Sequence, residues 1–338
     1  AQEAPAERYA HVLWNHGSGW QPDDLDDLYD NVRRERGDVP RVSARELSVL
    51  SERQVGLSFF STSAEGVMAE GTAGERAILS DDGTGHSLDT IELDRVLELA
   101  HGRLGGKLEL LGMDACLMST LEVAFEVRDH ASHVVGSEEL EPGDGWPYTR
   151  ILRRLSDNPD MGGQDLGQAV VDCYIDHYRD LLDQHPVTQC ALDTSSLDGF
   201  AASFDRLASE LQNAIGTELG MARVVAAQSL STMFTGDLFD IKSFCRNLLE
   251  GQSEQGVKEA AQQVLDSLQP GGLVVAEGHV GEAVEDCGGV TAYFPAPTSH
   301  MSPYYSDLEF STKYSWDEFL QAYRPASRRG TASPHRQR

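Results

Sequence analysis

Lysine is almost missing from this sequence. Among 338 residues the lysines are Lys107, Lys242, Lys258 and Lys313, so arginine supplies nearly all of the positive charge. The formal net charge is −28 and the pI is near 4.6. A surface of that sign repels phosphate, which argues against nucleic acid and anionic membrane as partners. It suits a brine-adapted protein, whose carboxylates stay hydrated, and equally an acidic protein from a GC-rich genome. Long apolar runs are lacking, and none has transmembrane length. Cysteine is scarce and odd in number: Cys116, Cys173, Cys190, Cys245 and Cys287 have no close pairing spacing, a pattern that does not suggest a disulfide framework or a zinc site. Calcium is a third use that the carboxylates admit, but no loop has EF-hand spacing. No other cofactor is called for. There are no internal repeats. Residues 1 to 8 carry no signal-peptide pattern, and the first residue is not methionine. A mature product or a truncated chain is expected.

The most informative stretch is KLELLGMDACLM, Lys107 to Met118. Lys107 to Leu111 has strand character, and Gly112 is expected to end it. Leu117 to Arg128 predicts a helix, with Leu117, Leu121, Ala124, Phe125 and Arg128 on one face. Asp114-Ala115-Cys116 then falls on a strand-to-helix turn, the place where α/β sheets bind ligands. A thiol there gains from the helix dipole and from free N–H groups. The plainer reading of Cys116 is a small buried hydrophobe.

A second turn supports the first. Tyr9 to Trp14 predicts a strand, followed by Asn15-His16-Gly17-Ser18-Gly19-Trp20. If the two strands are parallel neighbours, His16 and Cys116 emerge on one edge as a nucleophile–base pair. Gly17 lets backbone approach a substrate carbonyl, and its N–H can bind an oxyanion. Taken alone, His16 could be an ordinary surface-loop histidine. Together the turns predict a cysteine hydrolase.

VLWNHGSGW (Val12 to Trp20), LLGMDACLMSTLEVAFEVRD (Leu110 to Asp129) and VVGSEELEPGDGWPY (Val134 to Tyr148) resemble the clostripain-like cysteine peptidases, relatives of the caspases, gingipains and legumains. GDLFDIKSF (Gly236 to Phe244) and GVTAYFP (Gly289 to Pro295) extend the resemblance, which runs from about Tyr9 to about Tyr323. The acidic string is its most specific part. The resemblance implies an α/β fold, a caspase-like α/β/α sandwich with a mostly parallel central sheet and helical C-terminal additions. It implies one peptidase domain over 1–325, and 326–338 is expected to be a disordered basic tail. Cys116 is then the nucleophile and His16 the general acid/base, a dyad with no obvious third residue. The N–H groups of Gly17 and Cys116 become the oxyanion donors. Asp114 and Asp144 lie in the pocket for the residue before the scissile bond, where two carboxylates favour a cation. Partners are therefore polypeptides with arginine, or less well lysine, before the cut. Other roles stay open: Asp114 could cap the helix beginning near Leu117, and Asp144 could be a turn former. The resemblance favours a secreted or cell-envelope protein. It also implies one or two strands before the HG segment, which are removed, supplied by another chain, or lacking from an incomplete copy.

The remaining pattern is that of an alternating α/β chain. Helices are expected at Leu88 to Ala100, Pro147 to Leu155, Asp165 to Leu182, Leu197 to Ile215, Met221 to Ser229, Phe239 to Glu250, Val257 to Leu268 and Trp316 to Tyr323. Strands are expected at Val55 to Phe60, Arg76 to Ser80, His133 to Ser137, Thr188 to Leu192, Leu273 to Ala276 and Gly289 to Phe294. Two rival functions remain on this evidence. One is a non-catalytic or truncated relative acting as a binding or regulatory module. The other is a serine hydrolase, for which Ser18 is the one attractive candidate, without a G-x-S-x-G elbow.

Overall fold

In the computed structural model, residues 6–20, 78–81, 86–179, 181, 186–234, 237–269, 271–299 and 301–324 are described. The strand expected at Val55 to Phe60, the arginine-rich segment from Asn31 to Arg45 and the basic tail lie outside them.

The chain runs β1 (Ala10–Trp14), β2 (Ile78–Asp81), β3 (His86–Leu88), α1 (Thr90–Leu104), β4 (Leu110–Asp114), α2 (Leu121–Val127) and β5 (His133–Gly136). It continues with α3 (Tyr148–Asp157), α4 (Gly163–Arg179), β6 (Val187–Asp193), α5 (Leu197–Ala214), α6 (Glu218–Leu230), β7 (Met233–Phe234) and β8 (Leu238–Asp240). Then come α7 (Ile241–Glu250), α8 (Gln255–Leu268), β9 (Val274–Val280), β10 (Thr291–Tyr293), α9 (Glu309–Lys313) and α10 (Trp316–Tyr323).

The central sheet has the order β1-β4-β5-β6-β9. β1, β4 and β5 run parallel, while β6 and β9 join antiparallel. The α/β class stands, and the sheet is mixed. Its alternation makes three layers. Leu111 and Val134 point into one apolar cluster, with Phe125 of α2, Phe200 of α5 and Phe244 of α7. Leu110, Val135 and Ala191 point into another, with Ile151 of α3 and Val170 and Tyr174 of α4. Successive strand residues facing opposite cores is what a period of two gives when both faces are covered. A small antiparallel sheet, β10-β8-β7, packs behind the first cluster.

Three local expectations need correction. Gly112 does not end its strand. It sits inside β4, opposite Val12 and Val135, because the Trp146 ring occupies the space a Cβ would need, 2.7 Å away. The helix after Cys116 starts at Leu121, not Leu117. Leu117 takes a left-handed φ of 63°, and Thr120 is the N-cap, its Oγ1 accepting the Val123 N–H at 3.1 Å. The expected Phe239 to Glu250 helix is in fact β8 followed by α7, with Asp240 as the cap.

Helix α2 carries acids into the core. Glu122 accepts from the Tyr293 N–H (2.9 Å) and the Tyr305 hydroxyl (3.0 Å). Burial pushes its carboxyl up from 4.5 to about 7, and Glu126 rises equally, again chiefly through burial. A carboxyl whose folded value is raised stabilises the fold fully below its unfolded value, and that contribution is lost as pH rises through the folded value. Stability is therefore expected to fall between about pH 4.5 and about pH 7, with Glu122 accounting for on the order of 3 kcal/mol. Thermal melts across that window should show Glu122→Gln flattening the slope. An unchanged slope would refute the account.

Candidate active site

β1 and β4 are parallel neighbours with Trp14 opposite Asp114. The Asn15 N–H donates to the Asp114 carbonyl at 3.4 Å, extending the pairing one residue past the strand. Both chains then leave the sheet at the same edge, so His16 and Cys116 occupy equivalent positions on adjacent turns. The turns touch. A Cβ on Gly17 would fall 2.5 Å from the Cys116 carbonyl oxygen and 3.0 Å from the Met118 side chain. Such an approach needs a residue without a Cβ, and the glycine of the HG turn supplies it. Gly17 also bridges to Ile78. His16, Ser18 and Cys116 are all buried.

The loop after β5 closes over Cys116. Leu117 N–H donates to the Glu139 carbonyl (3.3 Å), and Ser119 N–H donates to the Ser137 carbonyl (2.9 Å). The Glu141 N–H donates to Cys116 Sγ at 3.2 Å. The thiol lies 3.9 Å from the Glu141 carbonyl. The expectation of a thiol at a helix N-terminus is thus replaced: backbone from 138–141, rather than the short α2, provides the polar contacts. The other four cysteines are buried, and burial pushes each thiol up, which leaves them inert.

Asp114 does not cap a helix. Its Oδ2 accepts from the Trp146 N–H (3.2 Å) and the Tyr148 hydroxyl (2.5 Å). Asp144 is exposed on the same loop, two residues before Trp146, and the next carbonyl, of Gly145, accepts from the Tyr178 hydroxyl at 2.8 Å. The sequence reading passed over Glu141. Its carboxyl is buried against Asp114, and its Oε1 accepts from Trp146 Nε1 (3.3 Å) and Gln189 Nε2 (3.0 Å). Burial first, and then the Asp114 charge, push Glu141 well above the usual carboxylate range. Glu141 therefore holds a proton and donates it to Asp114, which is itself raised by burial while that hydrogen bond pulls it back. The acidic string containing Glu141 was legible, but a lone glutamate in a polar loop has no spacing that marks it.

A further acid pair lies behind this loop. Ligand atoms of Glu138, Asp240 and Cys287 come within 4.8 Å of one another. Asp240 accepts from Ser243 N–H (2.6 Å) and Gly288 N–H (2.8 Å), and Glu138 from Gly289 N–H (3.0 Å). This group does not fit calcium, which takes six to eight oxygen ligands, roughly, and has little affinity for a thiol. Amide donors already hold three of the four carboxylate oxygens. Burial first, and then the Asp240 charge, push Glu138 well above the usual carboxylate range, where the loop after β5 meets the small sheet.

Comparison with known proteins agrees with the geometry. None of the curated proteins matches the chain significantly. An inactive zymogen C11 protease from Parabacteroides distasonis is similar, with a TM-score of 0.56 at 18% identity, over 92% of this chain and 71% of that one. A secreted C11 cysteine protease from Bacteroides thetaiotaomicron, solved with an irreversible peptide inhibitor, gives 0.55 at 14% identity, over 94% and 74%. At such identity these likenesses speak for the fold, which is the caspase-like one. The chain is a cysteine peptidase. It belongs to the clostripain family, whose family model matches residues 60–323.

Proposed function

We propose that the protein is an endopeptidase that cuts after arginine, and less well after lysine, through Cys116 and His16. The observation that carries this is the contact of the two turns at the adjoining ends of β1 and β4, sealed by Gly17 against the Cys116 carbonyl. The thiolate attacks the scissile carbonyl, a C–S bond forms, and the electron pair moves to oxygen. The N–H groups of Gly17 and Cys116 receive that oxyanion. The His16 imidazolium gives its proton to the leaving amine as the C–N bond breaks. Water, deprotonated by His16, then hydrolyses the thioester. Asp144 at the surface and Asp114 beneath it supply counter-charge for a guanidinium, and the Tyr148 hydroxyl, half-exposed and bonded to Asp114, lies between solvent and the buried acid. The family name supports peptide substrates, and one similar protein was solved with a peptide inhibitor. Purified protein incubated with matched arginyl, lysyl and aspartyl peptides tests the reading. Equal rates on arginyl and aspartyl peptides would remove the pocket. No hydrolysis of any peptide would favour the binding-module alternative.

The same specificity predicts self-processing within Asn31 to Arg45, a segment outside the described residues that carries Arg33, Arg34, Arg36, Arg41 and Arg45. Its sequence is polar and arginine-rich, the kind of composition at which proteolytic cuts concentrate. N-terminal sequencing of incubated wild type beside Cys116→Ala should give new termini after arginine in the wild type alone. A wild type that stays intact while it cleaves arginyl peptides would rule this out, and a cut equal in both would point to another protease.

A further inference from the structure

Among the described residues, Glu141 touches both halves of the site. Its side chain reaches Asp114 at the end of β4, while its main chain reaches the nucleophile two residues further along. Three groups from three elements clamp the carboxyl. These are Asp114 of β4, the Trp146 indole, and Gln189 of β6, whose amide donates at 3.0 Å. A buried glutamic acid with so many fixed partners has few rotamers, so its own N–H is held in one direction. That direction is Cys116 Sγ.

We infer that Glu141 is a positioning residue: its carboxyl group, locked to Asp114, Trp146 and Gln189, fixes its backbone N–H as a hydrogen-bond donor to the Cys116 thiolate. An N–H donor favours the charged form of sulfur, as it favours a carboxylate. A slack donor gives up that preference. Asp114 thereby has a second task beyond any charge it offers a substrate, because it anchors the side chain that holds the donor.

The titratable groups around the thiol decide the sign of the test. Asp114 and Glu141 lie side by side, both pushed up chiefly by burial, and the hydrogen bond between them pulls Asp114 back. Tyr148 of α3 and Tyr174 and Tyr178 of α4 are pushed up by burial and stay neutral. Asp144 is exposed, and His16 lies on the turn after β1, next to the Gly17 that contacts the Cys116 turn. Glu141 itself is held neutral, so its removal takes no negative charge from beside the sulfur. Loss of the Glu141 side chain therefore acts on the thiol mainly by loosening the backbone donor, and the thiol must become harder to ionise.

The inference rests on Cys116 being the nucleophile, and its test reads the thiolate rather than turnover. Ultraviolet thiolate absorbance, wild type minus Cys116→Ala, is titrated against pH, which cancels the other four cysteines. In Glu141→Ala the Cys116 midpoint is expected to rise by about one unit, so that at the wild-type midpoint the thiolate fraction falls from about half to about a tenth. Glu141→Gln keeps the acceptor for Trp146 and Gln189 and donates an amide N–H to Asp114, so its midpoint should stay within about 0.3 unit of wild type. Trp146→Phe keeps the ring but removes the indole N–H, and should give an intermediate rise. Should Glu141→Ala fail to fold, the Trp146→Phe titration decides. A Glu141→Ala midpoint equal to wild type, a Glu141→Gln midpoint as high as that of Glu141→Ala, or an unmoved Trp146→Phe midpoint would each overturn the inference. Peptide hydrolysis is scored separately. An active peptidase with unmoved midpoints refutes this role alone, whereas shifting midpoints in a protein that cleaves nothing refute the proposed function alone.

Discussion

Cys116→Ala is expected to lower peptidase activity by about a thousandfold or more, with a melting temperature close to wild type. The asymmetry follows from size and chemistry. The side chain is small and buried, so alanine leaves little empty space, but nothing nearby can replace the sulfur as a nucleophile. The four other thiols are buried away from the sheet edge and pushed up by burial, so none can substitute. His16→Ala should be nearly as severe, because the leaving amine then departs without its proton. Residues that act as a unit are non-additive, and the double variant should fall little further than either single one. Hydrolysis of an arginyl peptide, with melts in parallel, is the measurement. A Cys116→Ala protein keeping a tenth of wild-type activity would end the assignment.

The second large effect is on specificity. Asp144→Asn should cut kcat/KM for arginyl peptides by about a hundredfold, and leave uncharged peptides within about threefold. An exposed carboxylate is worth little in open water, but a substrate guanidinium seated over it excludes solvent and strengthens the pair. Asp114→Asn should lower arginyl cleavage too, though for a mixed reason. It removes charge and also loosens the Tyr148 and Glu141 contacts that Asp114 accepts. Its effect on uncharged peptides should therefore be larger than that of Asp144→Asn. The ratio of arginyl to uncharged rates separates the two roles. Equal loss on both substrates in Asp144→Asn would show that the carboxylate merely shapes the turn.

Much of this site was legible because it depends on strand ends. The apolar runs at Tyr9 to Trp14 and Lys107 to Leu111 point to two strands, and the turns that follow them carry His16 and Cys116. The helix at Trp316 to Tyr323 matches its expected bounds, since its apolar residues repeat with helical spacing. Four features escaped. Leu117 continues an apolar helical stripe, yet it takes a left-handed φ, and only the tertiary bond from its N–H to Glu139 reveals why. Gly112 looked like a stop because its partner is the Trp146 ring, far along the chain. Glu141 and Tyr148 act through single long-range hydrogen bonds, which leave no periodicity to read. The antiparallel joining of β6 was hidden likewise, since a buried apolar strand has the same composition in either direction.

The pairing of β1 with β4 has a kinetic side. Ala10 lies opposite Leu110, so the His16 and Cys116 turns meet only after a loop of about a hundred residues has closed, at an entropic cost that grows slowly with loop length. Contacts of such sequence separation form late and slow the folding of the domain. While the chain is whole, that closure is a first-order event. Once it is cut between Trp20 and Ile78, His16 and Cys116 belong to different polypeptides, and refolding becomes second order. A processed enzyme that has been unfolded and diluted would then recover its activity in proportion to protein concentration, whereas the uncut chain would recover at a rate independent of it.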